Sequence, residues 1–274
     1  MYKCTILLEN SQSELLSVTV KHGFSALIEG EGKKFLFDVG PDGTILTNSL
    51  LLDKSLVDID AVILSHAHYD HAGGFRTFAT QYSVPLLYTG PNFFSPKWAQ
   101  NGEIFTYLGS GFGREYLKEK DITHTIVKGC MEIAPDLFLV SGFFRTYAYE
   151  TIPERFCNGD APDCKKDDFS DEICLIAKHP DSLTLLSGCA HPGILNMIST
   201  CNTLFSQKVT RVIGGAHLSK ENEQRIDKTA KELEAKEIKE TFFCHCSGNA
   251  ITKKLTQDKK ITAYAIGCGD MVSL

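Results

Sequence analysis

Ala61-Val62-Ile63-Leu64-Ser65-His66-Ala67-His68-Tyr69-Asp70-His71-Ala72-Gly73-Gly74 is the stretch on which the reading of this chain turns. Its first four residues are apolar, as in a buried strand. Three histidines and an aspartate follow within six positions, and two glycines close the run. Ligands on the loop that leaves a strand's C-terminal end lie where α/β proteins build their sites. Neutral imidazole and carboxylate suit zinc, iron or manganese. On a tight loop, His66 and His68 converge on one cation while Asp70 and His71 face a second position nearby. A lone histidine there would read as a polar residue on a surface turn; four ligands at this spacing point to a metal site.

Working outward, β-rich runs are expected at Cys4–Leu8, Leu16–Val20, Ser25–Glu29 and Lys34–Asp38, with a hairpin turn at Gly30-Glu31-Gly32. A helix is expected near Thr44–Asp53, then the strand Ala61–Leu64. In the last third, strands at Ile173–Ala177, Leu183–Ser187, Arg211–Ile213, Glu240–Phe243 and Thr262–Ile266 alternate with helices at about Gly193–Leu204, Glu221–Ala235 and Asn249–Leu255. Ile226, Ala230 and Leu233 recur at helical spacing and form one apolar face. Strands first and strand–helix units afterwards suggest two sheets with helices outside. Residues of about 92–135 and 147–171 lack such a pattern. They are expected to be irregular insertions over the site, within a single domain of residues 1–274.

Three further histidines each follow an apolar strand and precede a helix: His191 in Gly188-Cys189-Ala190-His191-Pro192-Gly193, His217 in Gly214-Gly215-Ala216-His217, and His245 in Cys244-His245-Cys246. The repeat sets all three on one sheet edge, as a converging site requires. His124 and His179 stand beside polar or charged residues and are expected on the surface.

Apolar residues make up 43% and charged residues 23%, as in soluble globular proteins. A net charge of −6 argues against nucleic acid as a partner, while a small anionic substrate stays open because a cation supplies local positive charge. The first residues, Met1–Asn10, read as a strand rather than a signal peptide. No window approaches the length of apolar sequence that spans a membrane. The ten cysteines are irregularly spaced, so a reducing cytoplasm is expected rather than a disulfide framework. Cys244 and Cys246 are too close together for a zinc knuckle. Nothing in the sequence speaks to oligomeric state.

The run from His66 to His71 resembles the HxHxDH signature of the metallo-β-lactamase superfamily, and Phe37-Asp38-Val39-Gly40 resembles its first motif. The resemblance implies an α/β four-layer αββα sandwich and a metal-dependent, hydrolase-like enzyme. One or two divalent cations, zinc first and iron or manganese as alternatives, would be held by His66, His68, Asp70, His71, His191 and His245. Asp38 would orient the ligand loop without binding metal. Many relatives carry a bridging aspartate where this chain has Cys189, which is therefore either a further ligand or a buried structural thiol. Asp70 would hold the nucleophile, and His217 would act as a general acid or contact substrate.

A narrower resemblance is to the branch of 7,8-dihydropterin-6-ylmethyl-4-(β-D-ribofuranosyl)aminobenzene 5'-phosphate synthases. It rests on His22-Gly23-Phe24-Ser25, Asp171-Glu172 and the three late histidine segments. It implies a small-molecule substrate, phosphorylated or ester-containing, with His22 and Arg145 on the substrate side. It also implies a condensation of a dihydropterin alcohol diphosphate with a ribofuranosyl aminobenzene phosphate. Gly142-Phe143-Phe144-Arg145 departs from the branch's Gly-Glu-Ile-Pro-Arg and keeps only the arginine. Phe143, Phe144, Tyr147 and Tyr149 either stack on a flat ring or pack, with packing favoured. Two other readings remain on this fold: a di-iron redox protein, and a non-catalytic metal sensor.

Overall fold

In the computed structural model, which describes residues 1–11 and 17–274, two seven-stranded sheets stack face to face with helices on both outer sides. The first sheet runs, from edge to edge, Met271–Ser273, Lys3–Leu8, Ser25–Gly30, Lys33–Phe37, Ala61–Ile63, Leu86–Thr89 and Thr123–Ile126. The second runs Thr262–Ala265, Glu240–Phe243, Val209–Gly214, Leu183–Ser187, Ile173–Lys178, Leu137–Ser141 and Cys130–Ala134.

Alternation along each strand builds the layers, because successive side chains leave opposite faces. Ile173, Leu175 and Ala177 enter the core between the sheets, whereas Cys174 and Ile176 meet the helices Ile194–Phe205, Glu223–Ala235 and Asn249–Asp258. In the first sheet Ala26 and Ile28 point inward, and Leu27 points out to a cluster with Ile45, Phe75 and Phe78 from helices Thr44–Leu51 and Phe75–Gln81. The result is the αββα sandwich.

Topology places the site. Lys33–Phe37, Ala61–Ile63 and Leu86–Thr89 run parallel in one sheet. Leu183–Ser187, Val209–Gly214, Glu240–Phe243 and Thr262–Ala265 run parallel in the other. The C-terminal ends of these strands carry the loops of interest, as at other parallel-strand sites.

Several expectations change. Of the strand expected at Leu16–Val20, Leu16 lies outside the described residues, and residues 17–20 form no strand. The hairpin forms with Glu31 and Gly32 at φ 51° and 71°, as in a type I′ turn. The stretches 92–135 and 147–171 hold more regular structure than expected. Lys97–Asn101 and Ile104–Tyr107 pair with each other, and Phe156–Asn158 and Lys165–Lys166 complete a third sheet of four strands. These strands are short and built from mixed residues, and the pairing of Lys97–Asn101 with Phe156–Asn158 joins residues about sixty apart, so periodicity alone does not reveal them. Thr123–Ile126 and Cys130–Ala134 become edge strands of the two large sheets. Cys157 and Cys164 form a disulfide, against the expectation of reduced thiols throughout, because the turn between them brings their Cα atoms to 5.6 Å. No helix among the described residues is long and apolar enough to cross a membrane.

Leu175 is fully buried between the sheets. Leu175→Ala should lower unfolding stability by about 2–5 kcal/mol, read as a fall in the urea midpoint at unchanged slope.

Candidate metal centre

The loop after Ala61–Ile63 is shaped by one carboxylate. Asp38, at the end of the neighbouring strand, is wholly buried and has φ 58°. Its Oδ1 accepts the Ser65 amide N–H at 2.7 Å, and its Oδ2 accepts the Ser65 hydroxyl at 2.7 Å. Oδ2 also lies 2.7 Å from His71 Nδ1. With the proton on Nδ1, the Nε2 lone pair of His71 is turned away from Asp38 and toward the cluster. Tyr69–Ala72 forms a single helical turn that presents Asp70 and His71.

The second sheet supplies Cys189, His191, His217 and His245 from three successive strand ends. Ala190, His217 and His245 all have positive φ, at 59°, 50° and 53°. Such left-handed turns by non-glycine residues cost energy and gather at functional sites. The two halves approach closely at Gly188, where a Cβ would lie 2.2 Å from Ser65 Oγ and 2.9 Å from Asp38 Oδ2.

Two adjacent carboxylates clasp the ligand loops together. Asp171 Oδ2 accepts the amide of Ala67, between His66 and His68, at 2.9 Å. Glu172 accepts the amides of Ala190 and His191 at 2.5 and 2.9 Å. Behind Asp171 lies Lys97, only 1% exposed, with Nζ 2.7 Å from Asp171 Oδ1 and 2.8 Å from Asp167 Oδ2. Phe169, in the same segment, stacks on the His191 ring at 3.8 Å.

The donors then meet. His66, Cys189 and His191 each bring a ligand atom within 4.8 Å of the other two, and so do His71, Cys189 and His245. Cys189 Sγ is 3.2 Å from His71 Nε2, which is 3.1 Å from His245 Nε2 and 3.6 Å from Asp70 Oδ2. The His68 ring lies 4.8 Å from that of His66 and 5.0 Å from that of His191. His66 Nε2 and both ring nitrogens of His191 are buried without hydrogen-bond partners. Buried nitrogens are rarely left so, and a cation among them would satisfy them.

The electrostatics agree. Burial holds His66 and His191 well below the usual imidazole value, His68 at about 3 and His245 at about 4. These rings are neutral at pH 7, with lone pairs to give. At His71 burial opposes the charge, but Asp70 and Asp38 carry the ring up to about 9, so this ring holds a second proton at pH 7 that a cation would displace from Nε2. Burial opposes the charge of Asp70 too, yet His71, His22 and His245 hold it well below the usual carboxylate value.

A cavity of about 420 Å³ opens over this cluster, lined by His22, His68, Asp70, Cys189, His191, His217 and His245. Arg145 is not in it. Its guanidinium donates to the Asp168 carbonyl, beside Tyr147 and Glu150, because its segment packs toward the outer helices. The cations that do line the cavity are Arg155 and Lys220, which sequence reasoning missed. Phe143, Tyr147 and Tyr149 pack against the outer core and Phe144 is exposed, while Phe156 and Tyr69 line the cavity. Asn10 was also missed: its Oδ1 sits 3.0 Å from His245 Nδ1 and orients that ring. No spacing pattern marks these residues.

Residues 18–144 match the Metallo-beta-lactamase superfamily. The chain is 31% identical over 241 residues to an uncharacterized protein of Methanocaldococcus jannaschii, covering 86% of this chain and 88% of the relative. It is 30% identical over 246 residues to the 7,8-dihydropterin-6-methyl-4-(beta-D-ribofuranosyl)-aminobenzene-5'-phosphate synthase of the same organism, covering 83% and 81%. The crystal structure of a metal-dependent hydrolase of the beta-lactamase superfamily shares the fold, with a TM-score of 0.84 at 24% identity, over 100% of this chain and 99% of that one.

Asp38→Asn should weaken zinc binding by about 10- to 100-fold, measured by competition with a chromogenic chelator. Lys97→Met strands two buried carboxylates and should cost about 3–5 kcal/mol of stability, measured by denaturant unfolding.

Proposed function

Since the chain belongs to the metallo-β-lactamase superfamily, we propose that it is a metal-dependent, hydrolase-like enzyme acting on a phosphorylated small molecule. The observation that carries this reading is the cavity: its floor is the histidine–aspartate–cysteine cluster, and its wall holds Arg155 and Lys220. Neither cation has a carboxylate partner among the described residues. A phosphate or other anion suits that wall, because guanidinium binds phosphate oxygens through paired N–H donors.

His66, His68, Cys189 and His191 would hold one divalent cation, and Asp70, His71, Cys189 and His245 a second. Nitrogen, sulfur and oxygen donors together favour zinc. Bound there, such a cation supplies Lewis acidity, activating water and offsetting charge on a phosphoryl or acyl oxygen.

The chain's own residues do the rest. Arg155 and Lys220 bind the phosphate and fix its orientation over the floor. Asp70, facing the cavity, accepts a hydrogen bond from the attacking water and aligns it. Burial, with Arg155 and Lys220 nearby, keeps His217 down at about 4. A ring neutral at pH 7 is a poor general acid, so His217 serves as a hydrogen-bond donor to the oxygen on which charge develops. Phe156 and Tyr69 supply flat apolar walls for the remainder of the substrate.

Kinship with the archaeal synthase favours a second reading, formation of a phosphorylated, ring-bearing product in the same cavity. Both readings use the same anion wall.

Chelator treatment should abolish phosphoesterase turnover, and zinc or manganese should restore it. Arg155→Ala with Lys220→Ala should raise KM for phosphorylated substrates by about tenfold or more, leaving an uncharged ester unaffected. Turnover that survives complete removal of metal would end this reading.

A further inference from the structure

We propose that His22 is a metal ligand, the solvent-side donor of the second cation position, rather than a contact for substrate alone. The inference rests on the metal-dependent reading above and adds a residue to it. His22 Nε2 lies 3.2 Å from Asp70 Oδ2, and His245 Nε2 lies 3.5 Å from the same oxygen. All three donor atoms fall within 4.8 Å of one another. Donors sharing one zinc ion stand about 3 Å apart, and with Asp70, His71, Cys189 and His245 the His22 ring makes a fifth donor. The spacing from His22 to Asp70 fits that separation as well as the spacings among Asp70, His71 and His245 do.

The backbone holds His22 in this place. Phe24 N–H donates to the Asp70 carbonyl at 3.1 Å, and Gly23 N–H donates to Asn10 Oδ1 at 3.2 Å. Gly23 has φ 152°, and a Cβ there would lie 2.7 Å from the Asp70 carbonyl and 2.6 Å from Pro41 Cδ. Only glycine lets this turn press against the turn that carries Asp70. The same Asn10 oxygen lies 3.0 Å from His245 Nδ1, so one amide group sets both histidines. The two imidazoles stack at 5.3 Å with 26° between their planes. The His22 side chain is 58% exposed and lines the cavity, so it closes the second position on the side that faces solvent.

A simple hydrogen bond from His22 to Asp70 would give the same distance without any cation, and loss of His22 separates the two cases. The full chain, equilibrated against zinc buffers, is read by metal-to-protein ratio for wild type, His22→Ala and His22→Asp. Two zinc ions per wild-type chain are expected. His22→Ala should weaken the second by about 10- to 100-fold or more and leave the first unchanged, and His22→Asp, which puts a carboxylate donor in place of the ring, should recover most of the loss. The melting temperature of the metal-free protein should move little, since Asp70 keeps His71 and His245 beside it. Two ions bound equally tightly by wild type and His22→Ala, with KM alone raised, would overturn the assignment and leave the metal-dependent reading standing. A wild-type chain that binds only one ion would overturn it too. A wild-type chain that binds none would overturn both.

Discussion

Asp38 is the constraint on which this site depends. A carboxylate with no solvent contact must have its oxygens satisfied by the protein. Here they are satisfied by the amide and hydroxyl of Ser65 and by the imidazole of His71. One side chain thus fixes the exit of the ligand loop, the orientation of His71 and the contact with the second sheet at Gly188. Without it, the ligand turn would lose both its anchor and the tautomer that points Nε2 of His71 at the cluster.

The second sheet meets this anchor through backbone that is bent against its preference. Ala190, His217 and His245 share the left-handed conformation of Asp38, each where a strand gives way to a loop. Turning sharply there brings His191, His217 and His245 back over the strand ends instead of out along the chain. The unfavourable backbone is offset by the bonds around it. Glu172 accepts the amides beside His191, and Glu9 accepts that of His245 at 2.8 Å.

A third, smaller sheet gives the cavity its wall. It is joined to the histidine-bearing loops by the buried Lys97 and its two aspartates, and Phe169 in the same segment lies flat on His191. Arg155 and Phe156 reach the cavity from this sheet and the residue before it. The floor and the wall therefore come from separate parts of the chain.

The histidine–aspartate cluster of this protein was legible in sequence because four donor residues fall on one loop directly after a buried strand. The alternation of Ile173–Ala177 and the helical face of Ile226, Ala230 and Leu233 likewise report local periods that the fold obeys. The pairing of residues 97–107 with 156–166 was not legible, because hydrogen bonds between short strands distant in sequence leave no period in either. Nor was the placing of His22 beside Asp70, or of Arg155 rather than Arg145 in the cavity. Those depend on the order of strands in two stacked sheets and on which loop turns inward. Local sequence sets the chemistry a loop carries, and only the packing of the sheets sets which loops share a space.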